Sequence, residues 1–248
     1  MSVPDFARHR LFIDRAFAAD TTLPLEREQA NYLLNVLRFK ADDTVLVFNG
    51  RDGEWLASLV PEGRKQAALS LLRQVKPQPP DSDLHYLFAP LKHARLDYMA
   101  QKAVEMGAGV LQPVITRRTQ VSRLNLDRMR ANAVEAAEQC GILSLPAVAA
   151  EKPLEAALAG LAPERLLVFC DEGAEEASPI TALAARKPAP LAVLIGPEGG
   201  FEEAERRLIR ARANTLPISL GPRILRADTA AVAALAVVQA TLGDWSRR

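Results

Sequence analysis

Two stretches of this 248-residue chain concentrate residue types that can do chemistry. Leu194–Glu205 reads LIGPEGGFEEAE, and Leu220–Ala230 reads LGPRILRADTA. In each, an apolar run ends in Gly-Pro, at Gly196-Pro197 and at Gly221-Pro222. Glycine lets a ligand approach the main chain and permits positive φ, and proline stiffens the turn. In open α/β sheets, ligands bind beyond the carboxyl ends of the strands. Two such loops at one sheet edge therefore predict one pocket walled by main-chain groups. The second loop adds two cations and a carboxylate, Arg223, Arg226 and Asp228.

The spacing narrows the ligand. Gly196, Gly199 and Gly200 do not fit the dinucleotide pattern G-x-G-x-x-G. A phosphate loop needs Gly-Lys-Ser/Thr where this chain has Phe201, and no lysine follows either loop to neutralise a triphosphate. Glu198 would repel phosphate. A nucleoside-type ligand without phosphates fits better. Taken singly, each feature has a plainer reading. GPEGG makes a tight strand-to-helix turn, with Glu202 and Glu203 at the positive end of a helix dipole. Arg223 and Arg226 read as surface residues, and Asp228 or Thr229 as a cap for the last helix. The pairing of the two loops is what argues for a pocket.

The elements that must position these loops are legible as texture. Lys76–Asp83, KPQPPDSD, reads as an extended, solvated connection, so the chain divides into residues 1–77 and 78–248. Before it come β-type runs at Arg10–Asp14, Thr44–Asn49, Glu54–Val60 and Ala68–Val75. Asn49–Glu54, NGRDGE, reads as a hairpin turn, and Leu25–Phe39 as a helix. This half reads as a small β-barrel-like domain carrying one helix. After the cut, strands and helices alternate, which implies an α/β domain with a mostly parallel sheet. RLLVFC and LAVLI have the continuous apolar character of strands buried on both faces. The last helix, Thr229–Leu242, is apolar on nearly every face, so it is buried in the domain or in a dimer interface.

Composition sets the outer bounds. Apolar residues make up 49% and charged residues 25% of the chain, and the net charge is +1. A nucleic-acid partner would then need a local basic patch rather than global charge. Cys140 and Cys170 give no disulfide framework and suit a reducing cytosol; both read as packing residues. The three histidines do not combine with cysteine at metal-site spacing, so no metal is expected. No apolar run approaches the roughly 18 residues that span a bilayer. The expectation is a cytoplasmic protein without a membrane anchor.

Taken together, LIGPEGGFEEAE and LGPRILRADTA resemble the paired C-terminal motifs of the SPOUT-class RNA methyltransferases. LDYMAQKAVEMG with Glu105, EAAEQCG with Glu138 and Gln139, and the N-terminal RLFID and LLNVLRFKADD agree. They are most similar to the bacterial family that methylates N3 of a uridine, numbered 1498, in 16S ribosomal RNA. The resemblance covers essentially the whole chain. It implies an N-terminal PUA-like RNA-binding domain and a C-terminal α/β domain with a trefoil knot, which periodicity alone does not show. It further implies S-adenosylmethionine as donor, 16S ribosomal RNA or the small ribosomal subunit as partner, and a homodimer with its active site at the interface. The donor would meet Leu194, Gly196 and Gly199 in the first loop, and Leu220, Gly221, Ile224 and Leu225 in the second. One position departs from the family, which usually has glutamate where this chain has Asp228.

Methyl transfer to uridine N3 needs the donor in line with the nitrogen and an exit for the N3 proton. Arg223 or Arg226 would stabilise the developing anion, and Asp228 or Glu138 would accept the proton. Arg8, Arg10 and Arg38 are candidate phosphate contacts. Glu105 and Glu138 each sit near the C-terminal end of a helix, where a carboxylate is disfavoured. Competing readings are a ribose 2′-O-methyltransferase of the same fold, a non-catalytic RNA-binding module, and a nucleotide-binding oxidoreductase. The missing fingerprint weakens the last of these.

Overall fold

The computed structural model describes residues 9–63, 65–121, 123–174 and 178–246. The chain forms two compact units, Met1–Pro80 with Ala137–Leu145, and Asp81–Ala136 with Pro146–Arg248. A single cut in the sequence does not anticipate the return of Ala137–Leu145 to the first unit.

In the first unit, β1 (Arg10–Phe12), β2 (Thr22–Pro24), β3 (Thr44–Phe48), β4 (Glu54–Pro61) and β5 (Ala67–Lys76) form one sheet in the order β1-β3-β4-β5-β2. Only β1 and β3 pair in parallel. Leu33, Val45, Val47, Leu59 and Leu69 are fully buried in its core. The β3–β4 hairpin turns where Asn-Gly and Asp-Gly predict it, with Asn49 Oδ1 accepting from the Arg51 and Asp52 amides. The expected long helix is shorter than its apolar spacing suggests. It is α-helical only over α1 (Arg27–Asn31), then passes into a π-helical turn, Tyr32–Val36. Arg38, at φ +58, follows. The strand β2 is too short to leave a periodic signal.

In this unit the end of a helix is fixed by side chains that are remote in sequence. Arg10 Nη1 donates to the carbonyls of Ala137 and Glu138, Nη2 donates to that of Ile142, and Nε pairs with Glu54 Oε1 at 2.6 Å. A cation on terminal carbonyls complements both their lone pairs and the helix dipole.

The second unit is an all-parallel sheet in the order β12-β10-β11-β6-β7-β8, with a further strand, β9, on β7. Its elements run β6 (Leu84–Phe88), α2 (His93–Glu105), β7 (Val110–Ile115), α3 (Leu126–Cys140), β8 (Ala147–Val148), β9 (Lys152–Pro153) and α4 (Leu154–Ala159). They continue with β10 (Leu166–Cys170), α5 (Pro179–Ala184), β11 (Leu191–Ile195), α6 (Glu203–Ala211), β12 (Thr215–Ile218) and α7 (Ala227–Thr241). β11 is buried along its whole length and β10 through Phe169, as their unbroken apolar character predicts. The six-residue helices α4 and α5 are too short to show a helical period.

The last helix begins two residues earlier than its apolar run suggests. Its N-cap is Arg226, so neither Asp228 nor Thr229 is the cap. Asp228 lies in the first turn, and its Oδ1 accepts from the Thr229 amide at 2.9 Å, favoured by the helix dipole. One face of α7 is buried through Ala231, Ala234, Leu235 and Val238. Val232, Ala233, Ala236 and Val237 stay half-buried.

Candidate active site

In the sheet, β10 lies between β11 and β12, with Phe169 opposite Leu194 and Cys170 opposite Ile218. Three loops therefore leave neighbouring strand ends. They enclose a cavity of about 250 Å³, near the small end of ligand sites. Gly196, Leu220, Gly221, Ile224 and Leu225 line it as predicted, and Arg223 and Arg226 stand at its edge. Leu194 does not line it; its side chain is fully buried in the core beneath. Gly199 lines a neighbouring recess instead, and Asp228 lies one position past the lining residue Ala227.

The first loop is shaped from within. A Cβ on Gly196 would stand 2.5 Å from Phe201 Cε2, and Gly200 has φ +70. Two of the three glycines are thus required by the turn itself. Helix α6 starts with a capping box between Glu202 and Glu205. Buried Glu205 also accepts from the Arg117 amide at 2.8 Å, tying α6 to the end of β7. Glu198 pairs with Arg95 at 2.5 Å. Its charge is therefore already answered, and its repulsion of phosphate is weaker than the sequence suggests.

The third loop, Asp171–Ala174 after β10, carries no glycine-proline signal and is not anticipated by sequence. Asp171, 3% exposed, accepts from Arg206 Nη1 through Oδ1 and from Arg210 Nη2 through Oδ2, at 2.5 and 2.6 Å. Arg206 also donates to Glu172 at 3.0 Å and to the Phe201 carbonyl at 3.4 Å. One arginine therefore joins the first and third loops. The only advance signal is a pair of acids directly after an apolar strand, in LLVFCDEG.

Cys170 closes the strand end. It is partly exposed and lines the cavity, and burial first, then the nearby Asp171, push its thiol up to about 12. Tyr86 is fully buried, and its hydroxyl has no hydrogen-bond partner among the described residues. Burial, then the charges of Cys170 and Asp228, hold the phenol well above its usual range.

The second loop offers binding groups. From Leu220 to Leu225, no main-chain group pairs with another main-chain group among the described residues. Apart from Gly221, whose N–H and C=O both meet Ser219 Oγ at 3.4 Å, these N–H and C=O groups stand without a partner among the described residues beside a cavity, as the edge of a purine requires. Ile224, 91% exposed, is an apolar side chain at the cavity lining. Among the described residues, neither the Arg223 nor the Arg226 side chain has a hydrogen bond or an ion pair.

The remaining candidates lie elsewhere. Glu138 does not line the cavity. It belongs to the first unit, where its Oε1 accepts from the Phe12 amide at 2.8 Å. Arg10 is occupied by the bonds described above, and Arg38 is exposed. Arg8 lies outside the described residues. Glu105 is held by Lys102 at 2.7 Å, which answers its unfavourable position at a helix end. Among the described residues, no group of acids, histidines and cysteines is arranged to hold a metal. None of their helices is long and apolar enough to cross a membrane.

A parallel sheet whose strand-end loops wall a cavity, in a chain that also carries a separate small sheet unit, matches the architecture that the class of RNA methyltransferases shares. A family described as "RNA methyltransferase domain" matches residues 77–239, and one described as "RNA methyltransferase PUA domain" matches residues 25–72. The chain is 31% identical over 233 residues to "Ribosomal RNA small subunit methyltransferase E" of Rickettsia conorii, covering 93% of this chain and 95% of that one. It is 32% identical over 242 residues to the protein of the same name from Synechocystis, covering 94% and 78%. Among solved structures it is similar to the Neisseria gonorrhoeae enzyme of that name bound to S-adenosyl methionine. The TM-score is 0.82 at 26% identity, covering 94% of this chain and 97% of that one. A Legionella pneumophila methyltransferase in complex with the cofactor SAM gives 0.81 at 28%, covering 94% and 97%. The chain belongs to the ribosomal RNA small subunit methyltransferase E family, with its PUA-like unit first and its SPOUT unit second.

Proposed function

We propose that this protein transfers a methyl group from S-adenosylmethionine to N3 of the 1498-type uridine in 16S ribosomal RNA, as free RNA or within the small subunit. The observation that carries the reading is the cavity at three adjacent strand ends. Its second loop makes no main-chain-to-main-chain hydrogen bond among the described residues, and two guanidinium groups line the cavity without a partner among them. The main-chain groups of Leu220–Leu225 suit the adenine edge, and Ile224, exposed at the cavity, is free to fold over its face. The bound donor supplies an electrophilic methyl on a positively charged sulfur.

The chain's own residues then orient the base and handle its proton. The bond from N3 to hydrogen breaks as the bond from N3 to the methyl carbon forms, and the sulfur keeps the electron pair of its broken bond. Arg226, and beside it Arg223, hold the uracil oxygens and stabilise their developing negative charge. Asp228 takes the N3 proton on its carboxylate. Glu138, bonded to the Phe12 amide in the first unit, is the weaker candidate for that role.

We place a second copy of the chain against α7, whose half-buried strip of Val232, Ala233, Ala236 and Val237 supports a homodimer. The trefoil knot and a cytoplasmic location belong to the same reading. The deciding experiment combines calorimetric titration with donor and methylation of 16S RNA from a strain lacking this protein. The product is digested and the modified atom read by mass spectrometry. A methyl on a ribose 2′ oxygen would replace the N3 assignment. Failure to bind donor would favour a non-catalytic RNA-binding protein. A monomer with full activity would remove the dimer.

A further inference from the structure

The second unit holds a larger cleft, about 460 Å³, that shares no lining residue with the donor cavity. Its walls are the end of the β6–α2 connection, the first turns of α2, the start of α3, and Gln120, Val121, Arg123, Leu124 and Asn125. Leu96, Val121 and Leu124, each half-buried, make an apolar floor, backed by the almost fully buried Leu91, Ala100 and Met129. The rim is charged and unbalanced, with Lys92, Arg123 and Arg128 facing one carboxylate, Asp97. Arg128 grips Asp97 through two nitrogens, Nη2 at 2.6 Å and Nε at 3.0 Å, and Asn132 donates to Asp97 at 2.8 Å. Lys92 and Arg123 are left without a carboxylate among the described residues.

The cleft reaches the GPEGG loop. A small recess is lined on one side by the cleft residues Leu91, Lys92 and Gln120, and on the other by Pro197, Glu198 and Gly199. Two bonds fasten that side of the loop, Arg95 to Glu198, and Arg118 Nη1 to the Gly199 carbonyl at 2.6 Å. A strand of RNA leaving the methylation site along this path would meet an apolar floor for a base face and two free cations for its phosphate.

We propose that this cleft seats a nucleotide of the substrate RNA flanking the methylated uridine, with its base on Leu96, Val121 and Leu124 and its phosphate on Lys92 and Arg123. The proposal rests on the RNA-methyltransferase reading above. The volume suits one unstacked nucleotide. Two unpaired cations also favour a polyanion over a second copy of this chain, whose net charge is +1.

The test uses the full chain with Lys92→Ala, Arg123→Ala and Val121→Trp, the last filling the cleft from its loop. The probe is 16S RNA, free and in small subunits, from cells lacking this protein. Each cation variant is expected to weaken RNA binding about 3- to 10-fold and to lower the salt slope by about 0.7–0.9, as for one lost phosphate contact. Val121→Trp is expected to raise KM for RNA about tenfold with the salt slope intact. In all three, kcat and donor affinity stay at wild-type values. Wild-type RNA affinity and slope in the cation variants would overturn the proposal, whether or not Val121→Trp folds. An altered oligomeric state in Val121→Trp would assign the cleft to a second copy and also overturn it. Absence of RNA binding by the wild type would do the same. Donor binding without methylation of any RNA would instead defeat the functional reading, and RNA affinity would still judge the cleft.

Discussion

The ring of Phe201 occupies the space where a side chain at Gly196 would begin. A Cβ there would stand 2.5 Å from Cε2 of that ring, which packs edge-on against Phe169 with centroids 5.3 Å apart. Phe201 is 6% exposed and belongs to the core under the sheet edge, so it has little room to retreat. Gly196→Ala is therefore expected to cost about 1–3 kcal/mol, as overpacking does. It should also weaken donor binding at least tenfold by moving the loop. At Gly199 an added Cβ meets Arg118 Cδ at an ordinary 3.5 Å, so Gly199→Ala should change stability by less than about 0.5 kcal/mol. Thermal melts and donor titration of the two variants make the comparison. Equal effects would show that the crowding at Gly196 is relieved elsewhere.

Asp171 is the buried anchor of the third loop, holding Arg206 and Arg210 on its two oxygens. Hydrogen bonds to charged groups contribute roughly 1.5–3 kcal/mol each. Arg210 is half exposed, so screening favours the low end. Asp171→Asn is expected to lower stability by about 2 kcal/mol and to weaken donor affinity, because Arg206 also reaches the Phe201 carbonyl. Glu172→Gln removes only an exposed partner and should leave the melting temperature nearly unchanged. A donor affinity in Asp171→Asn equal to wild type would separate the anchor from the pocket.

These two cases also mark what sequence can and cannot carry. Gly196-Pro197 and Gly221-Pro222 announce themselves because a strand that ends in Gly-Pro is rare enough to be a signal. Asp171 gives none, because two acids after a strand usually mean solvent, and its role depends on arginines more than thirty residues away. Arg10 and Glu138 fail in the opposite sense. Their types suggest RNA and proton chemistry, but tertiary contacts bind them to a helix end and to the Phe12 amide. The parallel sheet was legible from LLVFC and LAVLI, whose full burial leaves no alternation to misread. Helix α1 was overextended because its apolar spacing runs on through a π-helical turn.

Arg223 and Arg226 stand at the cavity edge with no partner among the described residues, as groups meant to meet a ligand's charge would. Arg226 is also the N-cap of α7, contributing backbone but no side-chain bond there. Its side chain can therefore be removed at little cost to the helix. Arg226→Ala is expected to lower kcat about 100- to 1,000-fold, the usual loss for a donor to a developing oxyanion. Donor affinity and melting temperature should hold. Arg226→Lys should recover part of the rate. Arg223→Ala measured alongside separates the two arginines, and wild-type turnover in both would remove them from the reaction.

Cys170 and Cys140 should differ sharply in reactivity, because only the thiolate is a good nucleophile. Cys140 is exposed, whereas Cys170 is only partly exposed at the end of β10 and its thiol is raised to about 12. Mass spectrometry after iodoacetamide treatment at pH 8 should find Cys140 labelled and Cys170 intact until denaturant is added. The same shift has a consequence for stability. A group whose folded value is raised favours the folded state fully below its unfolded value of 9.0, and that contribution is lost as pH rises from 9.0 towards about 12. Urea midpoints of the wild type should therefore fall over that alkaline window more steeply than those of Cys170→Ala, which has no proton to lose there. Parallel curves, or ready labelling of Cys170 in the native protein, would mean that the strand end opens to solvent and that the donor cavity is not closed beneath.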